Sequence, residues 1–307
     1  MTAVPARTAG AAPTPAVAPH TTPVQDQTSA EQDRAASAQK APPVATPGEG
    51  TIRAWFTQSG VLSWRQLSVM VHDKATFLQL VLVPILTLLM FKVVLGDAIG
   101  SATGQDSTYG TVPLVILVSA MFGSVAAGIR LNQERGTGLL SRLYVLPINR
   151  AADLTSRLLS EMFRIVLVTA LLIVVGSFIG FDITGGFGAI AGIFGVTLMF
   201  GVAYATLVLA LAVSAAPSAP LVPLLSLVSS VLMFFNSGFS PIDAYPGWLQ
   251  PIVENQPMTP TIEVMRSLAA GGPIAENLIK VTIWTVGIIA VCVYPALRGY
   301  RKAATAR

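Results

Sequence analysis

The residues that could do chemistry are few and far apart. One cysteine, Cys292, and two histidines, His20 and His72, are scattered through 307 residues. That spacing excludes zinc, haem and iron–sulfur ligation, and a lone cysteine cannot form an intrachain disulfide. No Gly-x-x-x-x-Gly-Lys-Ser/Thr loop is present to cradle nucleotide phosphates. Neither a Gly-x-Ser-x-Gly elbow, a His-Glu-x-x-His pair nor a clustered carboxylate pair occurs. Asp153 and Glu161 come nearest to an acid pair. Arg150, Arg157 and Arg164 stand beside them at helical spacing, which predicts salt bridges on a helix surface. No active site is legible, and the chain is expected to bind no metal or cofactor.

Two patterned stretches remain. The first lies in the basic segment Arg130–Arg164 and reads Gln133-Glu134-Arg135-Gly136-Thr137-Gly138-Leu139-Leu140-Ser141-Arg142-Leu143-Tyr144-Val145-Leu146-Pro147. Gly136 and Gly138 allow a sharp change of direction. Leu139–Leu146 can form a short amphipathic helix stopped by Pro147. Such an element could transmit a push from a partner. The second stretch, residues 236–273, carries Pro241, Pro246, Pro251, Pro257, Pro260 and Pro273 with Tyr245 and Trp248. A continuous helix cannot pass so many prolines, so short pieces such as Pro246–Val253 and Thr261–Ala270 are predicted. The remaining basic residues Lys92, Arg130, Arg164 and Lys280 fall near the ends of apolar blocks, where snorkelling to the interface is expected. Ion-coupled carriers and charged-ring channels need ionisable groups at depth, and these blocks offer none.

The elements that must position these stretches are set by composition. Hydrophobic residues make up 53% and charged residues 11% of the chain, against about 25% charged in soluble proteins. The apolar residues cluster in blocks near the roughly 20 residues needed to cross a bilayer. Six spans are predicted, near 75–96, 111–129, 165–181, 187–213, 221–235 and 276–297. The fold class is therefore an all-α integral membrane protein. Residues 1–50, rich in Pro and Ala, are expected to be a disordered tail. Residues 51–74 are expected to lie at the membrane surface as an amphipathic helix, with Trp55 and Trp64 at headgroup depth and Arg65 beside them. Residues 75–302 form the membrane domain and 303–307 a short tail. The Arg130–Arg164 cluster places its loop, and with six spans both termini, in the cytoplasm. The Gly/Ser/Asp-rich segment 97–110 is expected as an outer loop. The net charge of +4 flanks apolar blocks and is no nucleic-acid signal.

The stretch Gln133–Leu143 with Pro147 resembles the cytoplasmic loop of type-2 ABC exporter permeases. Tyr245-Pro246-Gly247-Trp248, Asn255-Gln256-Pro257 and Gly271-Gly272-Pro273 resemble that family's daunorubicin-resistance subgroup, most nearly the DrrC type of actinobacteria. The resemblance covers about residues 60–302. It implies six spans forming half of a transmembrane dimer, in the plasma membrane, with a connecting helix (Trp55, Trp64, Arg65) before the first span. It implies a coupling loop made of Gln133, Glu134, Arg135, Gly136, Thr137, Gly138, Leu140, Arg142 and Pro147. A separate DrrA-like ATPase subunit would carry ATP and Mg, and a DrrB-like permease would complete a heterodimer. Short re-entrant helices between spans five and six would gate the exit, with Pro241, Tyr245, Trp248, Asn255 and Gln256 as gate residues. The substrates implied are anthracycline-like drugs or complex lipids such as phthiocerol dimycocerosates. Many family members carry an acid just after the Gly-Thr step, where this chain has Gly138; Glu134 and Arg135 then become the candidate ion-pair partners of the ATPase.

An apolar, aromatic path suits such substrates, and Met90, Phe122, Met199, Phe234 and Phe235 are its candidates. Asn236 and Ser237, where span five meets the broken segment, are polar candidates. Two other functions compete: an autonomous secondary transporter, and a membrane lipid-handling protein that does not transport and would use Asp243, Glu254 and Glu263. Membrane lipids are expected partners in every case.

Overall fold

The computed structural model describes residues 52–103, 107–136, 150–214 and 221–305, and every regular element among them is helical. Helix α1 runs Ile52–His72, α2 Lys74–Thr103, α3 Thr108–Gly136, α4 Arg150–Phe178 and α5 Gly186–Ser214. Then follow α6 (Leu221–Phe234), a 3₁₀ turn (Ile242–Ala244), α7 (Gln250–Asn255), α8 (Met258–Ala270) and α9 (Ala275–Thr305). Five helices, α2, α3, α4, α5 and α9, are long and apolar enough to cross a membrane. The fifth expected span is a shorter apolar helix, the 14-residue α6. The expected tail 1–50 lies outside the described residues, as do Thr137, Gly138, Leu140, Arg142 and Pro147 of the loop.

The centre of the bundle is α3 packed on α5. Val112, Leu117 and Met121 of α3 meet Ile193, Val196 and Phe200 of α5 in one buried cluster, which Leu172 of α4 and Met258 and Ile262 of α8 complete. These faces are apolar around most of the helix circumference, as a helix enclosed by other helices requires. In contrast, α2 and α9 sit at the margins and leave most of their apolar surface uncovered.

Several boundaries differ from the sequence expectation. The segment expected as an outer loop from residue 97 continues α2 to Thr103, although Gly and Ser are weak helix formers. Helix α4, by contrast, begins at Arg150, ahead of its span and inside the basic stretch as the sequence leads one to expect, and contains Asp153, Arg157, Glu161 and Arg164 within its apolar stretch. In α1 the side turned to the protein carries Ser59 and Ser63, while Val61 and Trp64 are exposed. Asp73 separates α1 from α2 and starts the new helix: its carboxylate accepts from Ala75 N and from Thr76 Oγ1. The Thr76 hydroxyl, foremost, holds that carboxyl below its usual range.

Candidate coupling junction and membrane groove

The first turns of α4 collect contacts from two other elements. Arg157 donates to Asp153 one turn back (Nε to Oδ2, 2.9 Å) and to Glu134 near the end of α3 (Nη2 to Oε2, 2.6 Å). One residue earlier, Ser156 meets α1. Ser63 Oγ lies 3.1 Å from Ser156 O, and Gln66 Nε2 donates to Ser156 Oγ at 3.3 Å. The helix that ends in the basic loop and the helix expected to lie at the membrane surface are thus tied to adjacent residues of α4. Gln133 is exposed on α3, and Gly136 ends that helix. Arg135 belongs to α3 and Trp55 to α1, and Arg65 is exposed beside Trp64.

Two turns on, α4 carries a second buried ion pair. Arg164 donates Nε and Nη2 to Glu161 Oε2 at 2.9 and 2.7 Å. Two further donors reach the Ser119 and Ala120 carbonyls of α3 at 3.1 and 3.0 Å. The guanidinium lies flat over Gly123: a Cβ there would sit 1.8 Å from Arg164 Cζ. This overturns two expectations. Asp153 and Glu161 are buried rather than on a solvated surface, and Arg164 does not snorkel. A charge at this depth is tolerated when a carboxylate and carbonyls surround it. Lys280 also has partners, Glu254 at 3.2 Å and Glu276 at 3.1 Å.

The path candidates separate. Met90 and Phe122 line one groove of about 510 Å³ between α1, α2, α3, α4 and α6, with Arg164 in its wall. Phe234 and Phe235 are exposed where α6 ends. Met199 packs against the bundle core instead. Asn236 serves the chain turn. Its Nδ2 donates to the Leu232 and Met233 carbonyls, and its Oδ1 accepts from the Gly238 and Phe239 N–H groups. The Ser237 hydroxyl is buried without a hydrogen-bond partner.

The gate candidates close over the same helix end. Tyr245 Oη donates to the Phe234 and Asn236 carbonyls at 3.1 and 3.2 Å. Gln256 Nε2 donates to the Phe235 carbonyl. The Phe234 and Phe235 carbonyls are ones that a terminating helix leaves without partners, while the Asn236 carbonyl also accepts from Ser240 N at 3.4 Å. Pro241 precedes the 3₁₀ turn, Asn255 O accepts from Trp284 Nε1 at 2.7 Å, and Trp248 is exposed. The acids proposed for lipid chemistry are otherwise engaged, Glu254 with Lys280 and Glu263 with Arg266, and Asp243 is exposed.

The family model for the ABC-2 type transporter matches residues 57–269, which include both the junction and the groove. The chain belongs to the ABC-2 type transporter family. It is 34% identical over 264 residues to the "Probable doxorubicin resistance ABC transporter permease protein DrrC" of Mycobacterium tuberculosis, covering 86% of this chain and 95% of that protein. It is 27% identical over 260 residues to the "Daunorubicin resistance ABC transporter permease protein DrrB1" of Streptomyces coeruleorubidus, covering 84% and 92% respectively. The daunorubicin-resistance likeness of the loop and proline motifs is therefore a family relationship. These relatives are permease subunits of ABC transporters, and several apolar helices make this chain an integral membrane protein. Sequence reasoning expected the Glu161–Arg164 pair but not its burial against α3, and it missed the Ser63–Ser156 contact. Only the packing of a second helix over these residues distinguishes them from ordinary surface residues.

Proposed function

We propose that the chain is the membrane half of an ATP-driven exporter, lying in the plasma membrane with both termini in the cytoplasm. A DrrA-like ATPase subunit carries ATP and Mg, and a second six-span permease of the DrrB type completes a heterodimer. Helix α6 serves as the fifth of six spans. The 3₁₀ turn, α7 and α8 form the re-entrant outer segment, and residues 75–302 form the permease domain behind a connecting helix at 51–74. The substrates are hydrophobic, either complex lipids such as phthiocerol dimycocerosates or anthracycline-like drugs.

The observation that carries this reading is the junction on α4. Closing of the ATPase moves the loop beyond Glu134 and the connecting helix α1. Both are tied to Asp153–Arg157, so both displacements enter one rigid helix. That helix holds α3 through Arg164, beside Met90 and Phe122. A push at the loop then alters the groove, the kind of rigid-body transmission that switches a transporter between openings. Tyr245 and Gln256 hold the outer segment to α6 until the exit opens. Replacing Glu134 and Arg135 together with Ala is expected to abolish substrate-stimulated ATP hydrolysis by the assembled complex while membrane insertion persists. Unchanged ATPase activity and unchanged transport would remove the coupling assignment.

A further inference from the structure

The groove changes character along its length. Arg130 and Gln79 line one end, and Met90, Phe91 and Met233 line the other. From Thr76 to Phe91, helix α2 rises roughly 22 Å at 1.5 Å per residue. One leaflet contributes about half of the ~30 Å hydrocarbon core. The groove therefore reaches from headgroup level past the middle of a bilayer, open on one side to the lipid.

Its charges are unequal in availability. Arg164 in the wall is neutralised by Glu161, and two further donors are held by the Ser119 and Ala120 carbonyls. Arg130 is exposed and makes no ion pair among the described residues, and Lys74 is exposed near the same end. The acids nearby are engaged: Asp73 accepts from Ala75 and Thr76, and Glu134 accepts from Arg157. One end thus offers an amide and a cation to which no described carboxylate is paired. The other end offers only apolar wall. An uncharged occupant leaves Arg130 without a partner, a zwitterionic one brings its own cation to the basic end, and a cationic one is repelled.

We infer that this groove binds one anionic phospholipid, its phosphate at Arg130 and Gln79 and an acyl chain running past Val83 to Met90 and Phe91. The lipid comes from the leaflet at the basic end of the bundle; only the name of that leaflet rests on the orientation proposed above. Binding requires neither ATPase nor transport.

The full chain is reconstituted in nanodiscs of equal phosphatidylglycerol and phosphatidylcholine. It is then released into mild detergent, and retained lipid is counted by native mass spectrometry. Phosphatidylglycerol is expected to be retained in preference. Arg130→Gln lowers its retention about fivefold, the weight of one basic residue at an anionic surface, and Arg130→Lys restores it. Lys280→Gln, already paired elsewhere, changes nothing. Val83→Trp fills the groove from an exposed position and removes the lipid. Equal retention of phosphatidylcholine, or phosphatidylglycerol retained unchanged by either Arg130→Gln or Val83→Trp, would overturn the inference. A chain that retains phosphatidylglycerol but fails to export sinks only the transport reading. A working exporter without the lipid preference sinks only this one.

Discussion

Arg164 makes four hydrogen bonds inside the bundle, and Gly123 is what lets it lie where it does. The guanidinium crosses α3 with no room for a side chain beneath it. Two effects oppose each other in Gly123→Ala. Replacing glycine inside a helix gains up to about 1 kcal/mol of helix propensity. Displacing Arg164 from Glu161 leaves buried charge without its partner, a loss of about 3–5 kcal/mol. The second effect wins, so Gly123→Ala is expected to lower unfolding free energy in mixed micelles by roughly 2–4 kcal/mol. Gly195→Ala, where an added Cβ meets nothing within 4 Å, is the matched control and should be neutral or slightly stabilising. Equal stability of the two variants would show that Arg164 is not held by this packing.

At the scale of elements, the end of α6 depends on residues that come after it. Tyr245 and Gln256 bond to the carbonyls of Phe234, Phe235 and Asn236, where no further helical turn exists to do so. Burial, the largest influence, pushes the Tyr245 hydroxyl above its ordinary value of 10.0, and its hydrogen bond to Asn236 pulls weakly the other way. Between the unfolded and the raised folded value the native state holds the extra proton, so stability falls as pH rises through that window. Tyr245→Phe is expected to remove this part of the alkaline slope and to cost about 1 kcal/mol at neutral pH through the lost hydrogen bonds. Unfolding curves at neutral pH and above pH 10.0 test both, and an unchanged alkaline slope would remove Tyr245 from the account. The elements themselves were largely legible in sequence. Apolar blocks marked the five long helices, and prolines marked the broken segment between α6 and α9. The latch was not legible, because nothing local links Tyr245 to a carbonyl eleven residues back. The Glu161–Arg164 pair was misread because acid and base three apart on a helix look alike whether the face meets water or α3. Seeing that α4 carries these charges inside its apolar stretch requires knowing which face turns inward.

For the whole molecule, the length of α6 has a consequence on one flank. Fourteen residues rise only about 21 Å, short of a hydrocarbon core of about 30 Å. With α6 as the fifth span proposed above, the irregular chain from Phe235 to Ser240 lies at membrane depth, and Phe234 and Phe235 are exposed there. Non-helical backbone at that depth persists only where protein or an aqueous path covers it. Helix α9 on its own flank is an unbroken helix with Trp284 and Tyr294 exposed, as suits direct contact with lipid. The partner permease is therefore expected on the α2–α6 side. Leu82 and Val93 of α2 are exposed and do not line the lipid groove, so a reporter there leaves that groove open. A photo-reactive benzoylphenylalanine at either position is expected to crosslink a second permease chain in native membranes. The same group at Ile283 or Val286 of α9, also exposed, should label lipid alone. Crosslinks to protein from α9 and none from α2 would place the dimer on the opposite flank.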